Sequence, residues 1–499
     1  MSKKIILWID SNFLHFSLAY YLQKTLDCKF YAIIDITNKT KEFFLTQNLV
    51  KFEKIWYYFD HVNSNNMKPD LDFLEKFEKR YDVNLWELAI NERIFYKFNP
   101  FHQFTDKEIL SILTEECTLF EEILDEVEPD FLLIKETIQH KDHLFYEMCK
   151  TRGIKIILSY LTKTLSKCVL SNEAHKFNSV CDFESISSKE QSLEDLQNYL
   201  KSSDLLGKNK SLVSSFLGSR KLRIKGVMNF FLFNNNSNVK THYTYFGRTK
   251  LRVLLHEIKS NIAKKSRWRF IEKHLLTQIP KNENFVYFPL QVDQERNLLL
   301  ATPFLTDQLV LIKHLAKSLP VNYKLYVKEH IAQAMRNWRD ISEYKEILKI
   351  PNVRFFHPNV NNEEIYKKAS LLVTAGGSTG LEATFYGTPS IIFADLGYSV
   401  LPFIHKLNSL DELPFAISQY VNEKVDPIFL SKYLKFLEEN SFDFDWIGFI
   451  NKQHDYFFFG GQLIDVKITE SKMAKFLNEH EDFLKQFTLE HIKRIESIS

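Results

Sequence analysis

Short apolar runs rich in Ile, Val, Phe and Tyr recur along the chain with stretches of helical period between them, the alternation expected of βαβ units around parallel sheets. In the first half these runs are IILWID (5–10), FYAIID (30–35), IWYYFD (55–60), FLLIKE (131–136) and IKIILS (154–159). The first four end on a carboxylate, which puts Asp10, Asp35, Asp60 and Glu136 at predicted strand ends. Leu144, Phe145, Met148 and Cys149 recur at helical spacing before the fifth run, and Gly153 stands where a helix C-cap is expected.

A second set of runs begins near Asn284 with FVYFPL and continues through KLYVKEH, VRFFHP, SLLVTAGG and PSIIFAD. Between the first two, Leu305, Leu309, Ile312, Ala316 and Leu319 form one apolar helical stripe, and Pro320 closes it. Residues 205–280 are basic and aromatic, include an Asn-rich loop at 234–238, and fit neither sheet, so they read as a linker with a helical insertion. From 425 the chain is Phe-rich and then helical. The predicted organisation is therefore two α/β domains, 1–204 and 281–424, joined by 205–280 and followed by a helical tail, 425–499.

Composition changes the picture in two places. Hydrophobic residues make up 45% and charged residues 26% of the 499, which suits a globular chain with a large core and excludes global disorder. The formal net charge of +2 hides an asymmetry, because residues 208–273 hold 16 Lys or Arg against Glu257 and Glu272 alone. That stretch is +14 and the remainder −12, so a polyanionic partner is expected there, above all an anionic membrane surface. Its Arg and Lys alternate with Tyr243, Tyr245, Phe246 and Trp268, but no nucleic-acid-binding module is recognisable, and nucleic acid is not the partner expected. Five cysteines without CxxC spacing predict reduced thiols. The apolar run before Asp10 is too short for a signal-peptide core, and no window approaches the length of a membrane span. The expected location is cytoplasmic, at most peripheral at the inner face of the membrane.

Candidate chemistry concentrates in LLVTAGGSTGLEATFYGTPSIIF (371–393). Five of the chain's 13 glycines fall between Gly376 and Gly397. A strand ending at Ala375-Gly376-Gly377, with a helix starting at Ser378 or Thr379, predicts a turn whose N–H groups and helix dipole suit a phosphate. Thr379-x-x-Glu382 also has the spacing of a capping box. A second signal is YVKEH (326–330), where Lys328 and His330 end a strand of the same sheet and could reach a nucleotide. In the first half, Glu136 and Asp10 are the strand-end carboxylates able to act as a general base, with His140 four residues beyond Glu136. Asp443-Phe444-Asp445, Asp70-Leu71-Asp72 and His140-x-x-His143 lack a convincing metal context, so no metal site is expected. Neither GxxxxGK[ST] nor GxGxxG occurs.

Through FVYFPLQVDQE (285–295), YVKEH, PNVRFF (351–356), IYKKASLLVTAGGSTGLEATFYGTPSIIF (365–393) and GYSVLP (397–402), the chain resembles capsule and surface polysaccharide biosynthesis proteins of the two-domain glycosyltransferase class. The first half joins the resemblance through LLIKETIQH and GIKIIL. It implies two facing Rossmann-like domains of the GT-B type, with acceptor binding in 1–204 and nucleotide-sugar binding in 281–424. It further implies a transferase with a nucleotide-sugar co-substrate, acting on a glycan or lipid-linked acceptor; with the poor metal signals, the expected chemistry is metal-independent and needs no other cofactor. The resemblance places the donor contacts on His330, Ser378 and Thr379; with Lys328, Gly376, Gly377 and Glu382 from the strand end and the turn these make up the candidate donor site, and the catalytic candidates are Glu136, Asp10 and His140. His330 is followed by Ile331 where many such proteins have proline. Two other readings share these motifs: a teichoic-acid-type enzyme moving a polyol phosphate from a CDP-linked donor, and a non-catalytic scaffold for glycan assembly.

Overall fold

The computed structural model describes residues 2–63, 68–162, 165, 167–178, 183–187, 189–202, 220–234, 237–240 and 242–499. Two sheets organise it. The first runs β13-β6-β5-β4-β1-β2-β3, and the second β12-β11-β10-β7-β8-β9. The strands of the first half are β1 (Lys3–Ile9), β2 (Cys28–Ile34), β3 (Phe52–Tyr57), β4 (Phe131–Lys135), β5 (Lys155–Leu161) and β6 (Lys167–Ser171). The second sheet comprises β7 (Asn284–Pro289), β8 (Tyr323–Lys328), β9 (Val353–Phe356), β10 (Leu371–Thr374), β11 (Ser390–Ile392) and β12 (Ile404–Lys406). β13 (Phe442–Asp443) comes from the tail.

β1 to β5 pair in parallel, as do all strands of the second sheet. The reason is in the runs themselves: Ile5 to Ile9 and Phe285 to Pro289 are buried without alternation, so both faces of each strand are covered by helices. In each sheet the strand order reverses at one point, between β1 and β4 in the first and between β7 and β10 in the second. The predicted strand 55–60 ends at Tyr57, because Tyr58–His61 turns into a short helix, and Asp60 is not a strand end. The antiparallel β6 and the short β12 were not anticipated.

The tail does not stand apart. β13 pairs antiparallel with β6, and Phe444, Trp446, Phe449, Phe457, Met473, Phe476 and Phe487 share one core with Phe13, Phe16 and Phe43. Tyr21 donates to the carbonyl of Leu477 at 3.0 Å, and Lys3 Nζ donates to Ser499 Oγ at 2.5 Å, so residues 442–499 complete the first domain.

The linker is likewise bound at both ends. Tyr243 is buried in the first domain, its hydroxyl 2.7 Å from that of Tyr58, while Ile271 lies in the core of the second. Residues 203–219, 235–236 and 241, including part of the predicted basic stretch and of the Asn-rich loop, lie outside the described residues.

Candidate functional site at the carboxyl edges of two sheets

Parallel sheets open a crevice at the carboxyl ends of the strands where their order reverses. In the first sheet Asp10 follows β1 and Glu136 follows β4, so both predicted carboxylates flank that point. In the second, the loop 290–296 follows β7 and the Gly376–Thr379 turn follows β10. The two edges touch. Arg296, beyond β7, donates through Nε to the carbonyl of Thr137 at 2.9 Å and lies 3.4 Å from Glu136 Oε1. Gly397 N, beyond β11, donates to the carbonyl of His175 at 2.6 Å.

Glu136 is the sequence-predicted carboxylate that meets the second domain. Its Oε1 is 2.5 Å from His175 Nε2, and the carboxylate remains partly exposed. His175 is buried, with a backbone φ of +58°, and lines a narrow cavity with Tyr160, Phe177, Tyr398 and Tyr433. Nothing in the sequence marked His175, which sits in a loop 39 residues from Glu136 with no motif around it. Arg296 was equally invisible, although it adjoins the FVYFPLQVDQE run. Asp10, also partly exposed, is engaged within its own domain: its carboxylate pairs with Lys135 and accepts from Asn12 N at 3.0 Å.

His140 is a correction to the expected catalytic set. Its side chain is 2% exposed, with Nδ1 2.8 Å from Glu92 and Nε2 2.8 Å from Glu116. Glu116 reaches it because Thr105 and Glu108 form a reciprocal cap that starts the helix Asp106–Val127 beneath the sheet. Burial alone would lower the imidazole pKa, but Glu116 and Glu92 lift it to about 10. Burial would likewise raise Glu92, yet the bonds and charge of His140 and the charge of Arg93 bring it down to about 2. His140 is thus a buried imidazolium with both nitrogens engaged, and it presents nothing to the crevice.

On the other edge His330 ends YVKEH with an exposed side chain. Its Nδ1 accepts from Ala332 N at 3.2 Å, which in a neutral ring leaves the proton on Nε2 as a donor. The surrounding protein mass, together with the charges of Lys328 and Arg339, holds its pKa down to about 4. Lys328 is buried and donates to the Val360 carbonyl at 2.5 Å and to Asn362, so it pins a neighbouring loop and acts at a distance as a charge.

The glycine turn also differs from its expected form. With the Gln291 amide turned so that its oxygen faces the donors, it accepts from Gly377 N at 2.8 Å, Gly376 N at 3.1 Å and Thr374 Oγ1 at 3.1 Å. The two N–H groups read as a phosphate cradle therefore point into the protein. Gly376 is required by close approach, since a Cβ there would lie 2.7 Å from the Cβ of Ala394. The Thr379–Glu382 capping box does not form. Ser378 precedes the helix Thr379–Thr384 and donates to Glu382 Oε1 at 2.6 Å, while Tyr366 donates to Oε2 at 3.0 Å. Burial raises the Glu382 pKa against the opposing effects of Ser378, Tyr366 and Lys328.

Behind the turn, buried Arg339 donates to the Gln291 carbonyl at 2.7 Å, to Glu329 at 2.9 Å and to Asp293 at 2.5 Å, tying together the loops after β7 and β8. Among the described residues no cluster of three or more His, Cys, Asp or Glu is arranged to hold a metal ion. No described helix is long and apolar enough to cross a membrane.

Two parallel α/β sheets joined through their carboxyl edges define a two-domain, GT-B-type architecture. Residues 180–401 match the family of capsule polysaccharide biosynthesis proteins, a span that takes in YVKEH, the glycine turn and the linker, and the resemblance to that family holds over it. No curated protein matches the chain. Among solved structures, the chain is similar to UDP-GlcNAc 2-epimerase from Neisseria meningitidis, with 12% identity, 88% of this chain and 99% of that one covered, and a TM-score of 0.23. It is similar to KpsC of Thermosulfurimonas dismutans, a β Kdo 2,7 transferase, with 13% identity, 64% and 88% covered, and a TM-score of 0.27. A third is the N-terminal domain of Candida albicans trehalose-6-phosphate phosphatase, with 11% identity, 91% and 97% covered, and a TM-score of 0.31.

Proposed function

We propose that the chain is a metal-independent glycosyltransferase that moves a sugar from a nucleotide-sugar donor to a surface polysaccharide or lipid-linked glycan. What supports this reading above all is the contact between the two switch points: a strand-end carboxylate from one domain and the glycine turn and strand-end His330 of the other belong to edges that touch at Glu136–Arg296. The family match over 180–401 supports the donor half of it.

In this reading the nucleotide phosphate lies against the second domain, where His330 Nε2–H and the Thr379 hydroxyl donate to it, with Lys328 adding positive potential from beneath. Ser378 and Glu382 hold the turn in shape. Glu136 is the general base. Arg296 and His175 hold its carboxylate in place. It withdraws the acceptor hydroxyl proton as that oxygen bonds to the anomeric carbon, and the sugar–phosphate bond breaks with its electron pair leaving on the nucleotide.

The test is a thermal-shift panel of UDP, CMP, CDP and GDP against the wild type and a His330→Ala, Ser378→Ala double variant. One nucleotide should raise the wild-type melting temperature, since a ligand specific for the folded state stabilises it, and the double variant should lose that shift. The reading fails if no nucleotide stabilises the wild type, or if the double variant responds equally.

A further inference from the structure

The helix Lys250–His274 carries an apolar stripe that faces outward. Leu251, Leu254, Leu255, Ile258 and Ile262 are 42% to 65% exposed. At about 100° per residue these positions fall within one sector roughly 100° wide. The opposite face is the anchored one. His256 packs on Phe101 with ring centroids 5.0 Å apart, Asn337 donates to Ser260 at 2.5 Å, and Ile271 is buried in the second domain's core. The stripe is therefore fixed to both domains and open on its outer side.

A second helix, Arg220–Phe233, runs alongside. Lys250 Nζ donates to the Phe231 carbonyl at 2.8 Å, and the charge of Arg223 helps depress the Lys264 pKa after burial has done so. It too exposes a stripe at helical spacing: Ile224, Val227, Met228 and Leu232. Arg252 and Lys259 line one side of the first stripe, and Lys265, Arg269 and Lys273, all exposed, continue along its sector.

We propose that these two helices form an amphipathic surface that docks on an anionic lipid bilayer, lying in the headgroup layer with the apolar stripes turned toward the acyl chains. Charge and shape together select this occupant. A soluble polyanion would use the basic residues and leave the leucines and isoleucines wet. A two-fold contact between copies of the chain would bury the stripe but set Arg252, Lys259, Lys265 and Arg269 against their own kind. A bilayer with acidic headgroups takes both features at once, and basic residues flanking an apolar helix face are the pattern such interfaces select. The proposal does not rest on the transferase reading.

The experiment is sedimentation of the full chain with vesicles of pure phosphatidylcholine and of phosphatidylcholine mixed with phosphatidylglycerol, across rising salt. Two variants are compared: Lys259→Glu/Lys265→Glu/Arg269→Glu, and Leu255→Gln/Ile258→Gln/Ile262→Gln. All six side chains are outward-facing, so both should melt like the wild type. The wild type should prefer the phosphatidylglycerol vesicles, the charge variant should partition more weakly by at least about 100-fold, and the apolar variant should bind at low salt but be released at lower salt than the wild type. The proposal is overturned by equal recovery of the wild type on both vesicles, or by an apolar variant as salt-resistant as the wild type. It is also overturned if the wild type is a dimer in solution that the apolar variant converts to monomer, which would assign the stripe to a second copy.

Discussion

Replacing His140 with leucine should destabilise the first domain by about 3–5 kcal/mol, because it removes the imidazolium between two buried carboxylates and leaves Glu116 with only the neutral Tyr58 and Tyr243 hydroxyls. Glu92 and Glu116 are 5% and 0% exposed, each 2.8 Å from the ring, and Glu116 Oε2 already lacks a hydrogen-bond partner. An independent route gives a similar size: lifting the imidazole from 6.5 to about 10 corresponds to about 5 kcal/mol at about 1.4 kcal/mol per pKa unit. These figures describe one interaction and are not summed. The sign fixes the pH window. His140 is raised, so its contribution is fully present below pH 6.5 and is lost as pH rises toward 10; Glu92 is depressed, so its contribution is present above pH 4.5 and is lost as pH falls toward 2. Wild-type stability should thus be flat in this respect between those limits and fall by about 3 kcal/mol between pH 6 and pH 9. The assay is urea-dependent amide exchange of the helix Asp106–Val127 at both pH values. The leucine variant should be weaker at pH 6 and lack most of the alkaline slope. A variant within about 1 kcal/mol of wild type at pH 6, or one that keeps the slope, refutes the buried imidazolium.

Three further outcomes are expected. Glu136→Gln should lower turnover by about 100-fold or more while leaving donor affinity intact, and Asp10→Asn should not; the reverse pattern in steady-state kinetics moves the base to Asp10. Because His330 is held near pKa 4, nucleotide-sugar affinity measured by calorimetry should show no His330-dependent step from pH 5.5 to 8, and a step near 6.5 that vanishes in His330→Ala contradicts a neutral donor. Gln291→Leu should cost the second domain about 2 kcal/mol by removing the acceptor for Gly376 N, Gly377 N and the Thr374 hydroxyl; an unchanged melting temperature would mean those groups are not paired there.

The strands that carry the site were legible because fully buried parallel strands write themselves as unbroken apolar runs. That is why the runs alone place Asp10, Glu136, His330 and Ser378 at sheet edges. Side-chain partners were not legible, for a different reason. Gln291 acts on Gly376 across 85 residues, and Arg339 joins Glu329, 10 residues away, to Asp293, 46 residues away, so spacing along the chain carries no trace of these bonds. His140 looked like a catalytic neighbour of Glu136 because sequence proximity cannot show that a helix start turns the ring inward while the strand end turns outward. The tail is helical as expected, but its docking was hidden for a similar reason: a Phe-rich segment reports that it will be buried, not against which domain.

That returning tail bears on the order of assembly. The second domain is one uninterrupted stretch of chain and can close its core as soon as it has left the ribosome. The first domain cannot: β6 waits for β13, and Phe13, Phe16 and Phe43 wait for Phe476 and Phe487, more than about 400 residues later. During synthesis the domain that begins first finishes last, with an apolar face uncovered while everything between is being made, and the nascent chain is a natural client for a chaperone over that interval.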